Sequence, residues 1–160
     1  MTDSELSDVA SALGRIPSGL FVLTARDGPR ETGLLVSWVQ QCGFDPPQVT
    51  LCVRQGRDVL AWLGEGSAFT VNVVGESQKR FLSHFGKGFS LDEDAFAGLS
   101  VERADGEAPI LSDALAHLRC RVRRRVDVGD HELLIGVVVG GRVQHAGEPY
   151  LHVRKNGLKY

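Results

Sequence analysis

The sequence predicts a mostly β fold, an antiparallel barrel with a few short helices. Short runs rich in Val, Leu, Phe and Thr recur along the chain, each bounded by Gly, Pro or Asp turn signals. Glycine is abundant, at 19 residues, as many turns or close backbone approaches require. The helical patterns are few and short, which favours a barrel over a doubly wound parallel sheet. At 160 residues the chain can bury a core without disulfide or metal staples. It shows no internal repeat and no linker, so residues 1–160 are expected to form a single domain.

Each element has its own signal. Over residues 3–13, Leu6, Val9, Ala10 and Leu13 share one helical face, with Ser4 or Ser7 as cap and Gly14 and Pro17 as stops. Residues 19–25 are a β-rich run closed by the turn Asp27-Gly28-Pro29. The extended pattern resumes over residues 31–39, so the first hairpin pairs residues 20–25 with 32–39. Phe44-Asp45-Pro46-Pro47 is a rigid turn. Residues 48–54 alternate, with Val49, Leu51 and Val53 on one face.

Residues 58–63 predict a short helix with Val59, Leu60 and Leu63 inward, ended by Gly64 and Gly66. A strand over 68–74 precedes a helix over 77–85, capped by Ser77. Residues 86–98 are a loop, 99–103 a short strand, and 108–111 a turn that tethers. A long strand over 115–128 pairs with 131–139 across Asp127-Val128-Gly129-Asp130. Residues 142–146 continue it after a Gly140-Gly141 bend, and 150–154 form a last strand. The sum is about seven strands.

Bulk chemistry excludes several classes. The apolar fraction is 42% and the charged fraction 24%, ordinary for a globular protein. Net charge is -2, so no global basic field attracts nucleic acid or an anionic membrane. Cys42, Cys52 and Cys120 are widely spaced and form no C-x-x-C pair. They are expected to be free buried thiols in a reducing cytosol. The polar start Met-Thr-Asp-Ser-Glu lacks an apolar signal stretch, which fits a cytoplasmic protein. No phosphate loop, dinucleotide fingerprint, H-E-x-x-H or G-x-S-x-G occurs. The histidines at 84, 117, 131, 145 and 152 lack metal-ligand spacing.

What remains is an ordered set of segments. Pro17-Ser18-Gly19, Gly33-Leu34-Leu35-Val36-Ser37-Trp38-Val39, Phe44-Asp45-Pro46-Pro47, Phe69-Thr70-Val71-Asn72 and Asp130-His131 follow one another along the chain. This pattern resembles the flavin reductase-like, FMN-binding split-barrel family, over roughly residues 13–160. Leu13-Gly14-Arg15-Ile16, Ser37-Trp38-Val39-Gln40-Gln41 and His84-Phe85-Gly86-Lys87-Gly88-Phe89 are similar to the C-terminal reductase domain of diflavin flavo-diiron proteins. The H-x-E-x-D-H iron-ligand stretch of those proteins is missing. The resemblance implies a split β-barrel of Greek-key type, FMN as cofactor and NADH or NADPH as electron donor.

The residue types fit that implication. Leu35, Val36, Ser37, Trp38 and Val39 can meet a flavin ring edge with backbone groups, the Ser37 hydroxyl being a rotatable extra. Val53 leads into Arg54-Gln55-Gly56-Arg57-Asp58, where a strand enters a helix start. Free N–H groups there, with Arg54 and Arg57, suit a phosphate, although relatives often carry Ser or Thr at these positions. The resemblance adds Phe85, at the end of the helix, as a cofactor contact, and Lys87 in the glycine-flanked loop is a second cation. Asn72, unfavourable in a strand unless its amide is used, either ties loops together or reaches the cofactor. The resemblance puts His131 near flavin and nicotinamide, where it would orient the donor; a locally bonded turn histidine is the alternative.

Arg119, Arg121, Arg123 and Arg125 alternate on one strand face. They make a solvated face, or a landing site for an NADP phosphate or an acidic partner. Cys120, Val122 and Val126 face the core, and Arg124 sits at a bulge or an interface. The function expected is NAD(P)H-dependent flavin reduction by a homodimer, with electrons passed to oxygen or a redox partner. The alternatives are a non-catalytic FMN relay or carrier, and a related split-barrel oxidase or haem-handling protein.

Overall fold

A computed structural model describes residues 1–159. Its centre is a 7-stranded antiparallel sheet in the order β3-β2-β6-β9-β10-β5-β4. The strands are β2 (Phe21–Asp27), β3 (Arg30–Val36), β4 (Val39–Phe44), β5 (Pro47–Arg54), β6 (Ala68–Val73), β9 (Ala116–Asp127) and β10 (His131–Val143). Two short pairings flank the sheet: β1 (Ser18–Gly19) with β11 (Leu151–His152), and β7 (Val101–Glu102) with β8 (Ile110–Leu111). Helix α1 covers Asp3–Gly14, α2 covers Arg80–Gly86, and a 3₁₀ turn covers Asp58–Trp62.

The barrel follows from one connection. β3 and β4 are the two edges of the sheet, yet only Ser37 and Trp38 separate them in the chain. A short link between opposite edges forces the sheet to curl until those edges approach each other. The edges do not pair, so the sheet stays open and the barrel is split. This revises the first hairpin. Phe21 to Asp27 pairs with Arg30 to Val36, and the extended run then breaks at Ser37-Trp38. Val39 to Phe44 crosses to pair with β5.

Alternation sends successive side chains to two cores. Leu23, Leu51, Leu63, Phe69, Val71 and Leu134 fill the barrel interior, beside Trp62 and Leu60 of the 3₁₀ turn. Val22, Val74, Phe81, Phe85, Phe96 and Leu111 form a second core outside the sheet, under α2 and the 90–111 loop. β2 therefore reads as a continuous apolar run because both of its faces are covered. A polar stripe across β2 and its neighbour β6 anchors the 108–111 tether. Thr24 Oγ1 donates to Pro109 O, Thr70 Oγ1 donates to Ala108 O at 3.3 Å, and Leu111 N donates to Asn72 Oδ1 at 2.9 Å.

Other local expectations change. α1 is capped by Thr2, not Ser4 or Ser7, through a capping box with Glu5. Its Ala10 and Gly14 are buried, while Leu6, Val9 and Leu13 stay exposed. α2 begins at Arg80 rather than Ser77 and has no side-chain cap. Gln78 replaces the cap by accepting from Gly75 N and donating to Asp113 O. β10 runs on through Gly140-Gly141 instead of bending there, because a bulge absorbs the irregularity. Val126 is half-buried rather than a core residue. Of the thiols only Cys120 is buried; Cys52 is half-buried and Cys42, on edge strand β4, is exposed.

Candidate functional site

Two cavities meet at the split, one on each side of Ser37. The first has a volume of about 720 Å³. Leu34, Leu35, Val36, Leu82 and Phe85 give it apolar walls, from β3 and α2. Its rim carries Arg54, Arg57, Arg154, Lys155 and Lys159, and among the described residues no carboxylate lines it. The second cavity, about 1090 Å³, is bounded by Phe21, Trp38, Val39, Asp130, His131 and Leu151. Ser37, Cys52, Arg54, Arg154 and Lys159 line both.

The second cavity has an ordered aromatic wall. The Trp38 and His131 rings lie 4.9 Å apart at 43°, and the Arg154 guanidinium lies 5.0 Å from the Trp38 ring. Asp130 Oδ1 is 2.8 Å from His131 Nδ1. That hydrogen bond holds the Asp130 carboxyl below its ordinary range, so it is an anion and Nδ1 carries the proton. Asp130 itself stands in solvent while His131 is buried. In the shared wall, burial pushes the Cys52 thiol up, which leaves it neutral. Burial, helped by Arg154, lowers His152 in the first cavity, which is therefore neutral at pH 7.

The C-terminal segment completes both cavities. Arg154 N donates to Gly14 O at 3.1 Å and Gly157 N to Ala10 O at 2.6 Å, so the segment is strapped to α1. A Cβ on Gly14 would stand 2.6 Å from Arg154 O, so only glycine allows this approach.

Known proteins share this architecture. The family model of the flavin reductase like domain matches residues 13–157. The chain belongs to that family. Diflavin flavoprotein A 1 of Synechocystis sp. is 38% identical over 156 residues, covering 96% of this chain and 27% of that protein. A diflavin flavoprotein of Nostoc sp. is 37% identical, again over 96% of this chain and 27% of its own length. The chain thus spans about a quarter of these relatives. The styrene monooxygenase flavin reductase of Pseudomonas putida S12 superimposes with a TM-score of 0.75 at 28% identity, over 89% of this chain and 90% of that one. The Streptomyces globisporus C-1027 NADH:FAD oxidoreductase SgcE6 shares the fold, with a TM-score of 0.84 at 23% identity over 96% of this chain and 91% of that one.

The flavin reductase-like domain brings together most of the residues singled out in its sequence. Leu35, Val36, Ser37, Val53, Arg54, Arg57 and Phe85 line the first cavity. Trp38, Val39 and His131 line the second. Gly56, Asp58, Asn72 and Lys87 line neither. Gly56 makes a left-handed turn at φ 80, and Lys87 Nζ lies 4.6 Å from the Phe89 ring. Asn72 is fully buried and ties β2 to Leu111, giving Nδ2 to Val22 O at 3.0 Å. The helix start expected after Arg54 is a five-residue 3₁₀ turn, too short for a strong dipole at its N-terminus. The cations that sequence reasoning missed are Arg154, Lys155 and Lys159. Their signal was a basic run at the chain end, of which Arg154 was read only as the end of a strand and Lys155 and Lys159 fell beyond it. Among the described residues, no group of three or more His, Cys, Asp or Glu could hold a metal ion. No helix is long and apolar enough to cross a membrane.

Proposed function

We propose that the first cavity holds FMN and that the second admits NADH or NADPH, making the chain an NAD(P)H-dependent flavin reductase. One observation carries this reading: an apolar slot rimmed by five cations, with no carboxylate among the described residues, opens through Ser37 onto an aromatic-walled cavity. Apolar walls suit a planar ring system, and the cations suit its phosphate. The flavin reductase family and its solved members support the same chemistry. The diflavin flavoproteins among the relatives favour FMN over FAD.

Bound flavin supplies the two-electron chemistry. The residues of this chain bind, orient and exclude water. Leu35, Val36, Val53 and Phe85 exclude water from the slot, and Arg54, Arg57, Lys155 and Lys159 neutralise phosphate. The Ser37 hydroxyl offers a donor at the junction. His131, its tautomer set by Asp130, packs on Trp38 and shapes the face that the nicotinamide meets, where alignment supplies much of the acceleration. Bound flavin, once reduced, would supply electrons to oxygen or to a redox partner. A homodimer completes the reading, in which α1, with Leu6, Val9 and Leu13 exposed, offers the apolar surface.

The test is anaerobic. The FMN-loaded protein is mixed with NADH or NADPH, and the long-wavelength flavin absorbance is followed. Bleaching by either donor is expected, and the faster one names the nicotinamide. Tight FMN binding without bleaching by either donor overturns the reductase reading in favour of an electron relay.

A further inference from the structure

A third cavity, of about 330 Å³, lies far from the split. Its charged lining is Glu102, Arg103, Glu107, His117, Arg119 and Arg142. His131 at the cleft opens β10, and Arg142 at this pocket stands next to its end, 11 residues on. That length of strand is on the order of 40 Å. A nicotinamide held at the cleft does not reach across it.

The charges in this pocket cancel in pairs, with one exception. Arg142 Nη2 donates to both Glu102 oxygens at 2.7 and 2.9 Å. Arg121 grips Glu107 with two bonds, at 2.9 and 2.6 Å, and Arg103 Nε meets Glu31 at 2.8 Å. Of the stripe on β9, Arg125 is also taken, by Glu132 at 2.5 Å, and Arg123 reaches Gln48. Among the described residues, Arg119 makes no hydrogen bond and has no carboxylate at ion-pair distance; its charge reaches Glu107, whose oxygens Arg121 already holds. Its guanidinium is seated against Gly140 at the bulge of β10, where a Cβ would stand 2.5 Å from Nη2.

His117 is the second observation. It is 5% exposed. Gln144 Nε2 donates to the carbonyls of Leu111, Ser112 and Ala114 at 2.9, 3.2 and 2.9 Å, which leaves Gln144 Oε1 facing His117 Nδ1 at 2.6 Å. Nδ1 therefore carries the proton and Nε2 is left as an acceptor. Burial, with Arg142 and Arg119 nearby, lowers the His117 pKa and keeps the ring neutral. Among the described residues no group meets Nε2, yet no fully buried side-chain nitrogen is without a partner. Nε2 thus opens to solvent, and the cavity that His117 lines is this one.

We propose that this pocket binds a phosphate group that retains one proton, with Arg119 donating to two of its oxygens and His117 Nε2 accepting its hydroxyl. A guanidinium fork matches a pair of oxyanion oxygens. An acceptor beside it rewards an anion that still has a proton and penalises one that has none. Free phosphate and phosphate monoesters share this chemistry; sulfate has the same shape and no proton at pH 7.

The experiment follows the His117 ring ¹⁵N resonances and binding heat in the full chain, at pH 7 and constant ionic strength. Inorganic phosphate, sulfate and glycerol 3-phosphate are the probes. Phosphate is expected to shift the His117 signals saturably, at millimolar concentration, with sulfate at least about tenfold weaker. Arg119→Gln is expected to remove the response while FMN affinity stays unchanged, and Gly140→Ala to weaken it by crowding the guanidinium. A glycerol 3-phosphate affinity above that of phosphate identifies a monoester as the ligand, and one below it identifies free phosphate. The proposal is overturned by unmoved His117 signals at tens of millimolar phosphate, by equal phosphate and sulfate affinities, or by wild-type binding in Arg119→Gln.

Discussion

Asn72 shows how one polar side chain can hold three segments. Its amide bonds Val22 O, Thr24 Oγ1 and Leu111 N from a fully buried position. Asn72→Ala leaves the Leu111 N–H unpaired, at a cost of about 2–3 kcal/mol. The melting temperature is expected to drop by roughly 5–10 °C, with FMN affinity of the folded protein unchanged. A weaker FMN complex without a change in melting would instead put Asn72 in the cofactor site. The thiols differ in the same residue-by-residue way. Burial pushes Cys120 up to about 12, while Cys42 is exposed on an edge strand. Thiol titration of the native protein should therefore label Cys42 fast, Cys52 slowly and Cys120 only after unfolding.

At the scale of elements, the strap from Leu151 to Lys159 matters most. It brings Arg154, Lys155 and Lys159 to the first cavity, and its docking depends on small residues where it meets α1. Gly14→Val drives a side chain into the Arg154 carbonyl. The strap should then detach, seen as new proteolytic cleavage near the C-terminus. FMN affinity is expected to fall about tenfold at low salt, and that loss to shrink as salt rises. Unchanged FMN affinity in a protein cleaved there would remove the strap cations from the phosphate site. The sandwich of Arg154, Trp38 and His131 spans β11's continuation, the β3–β4 link and the start of β10, so three elements must dock before the second cavity has its wall.

The whole molecule sets the response to acid. Glu107, beside Arg121, and Glu132, beside Arg125, both titrate below the ordinary carboxylate range. Burial depresses His117 and His152 below 6.5. Each of these groups binds its proton more readily in the unfolded chain. Their stabilisation is thus present above the unfolded values and is lost as pH falls. Thermal stability should begin to decline below about pH 6.5, as the histidines of the unfolded chain protonate, and fall further below about pH 4.5. Glu107→Gln should flatten only the lower part of that profile; a melting temperature constant from pH 7 to 4 would contradict the assignment.

Strand identity was legible because alternation is local: Val49, Leu51 and Val53 share one face in sequence and in space. The hairpin of β9 and β10 was legible because Gly129 and its neighbours carry turn chemistry. Ordered short motifs identified the family and pointed to Leu35, Val36, Ser37, Arg54 and Arg57, which are all local to one strand end or the link beside it. What joins those pieces is non-local. That β3 and β4 lie at opposite edges, with Ser37-Trp38 bridging the split, depends on which strands pair across the sheet. Cations at the chain end and Arg54 at the end of β5, far earlier in the chain, become one rim only after β11 pairs with β1. The same holds for Arg119, whose stripe neighbours Arg121 and Arg125 are neutralised by carboxylates from other segments. Sequence alone determined most of the elements, the family and part of the cavity wall, because propensity, turn chemistry and motif are short-range. Tertiary structure decided which charges remain unpaired and where the barrel opens, because both depend on contacts between residues far apart in the chain.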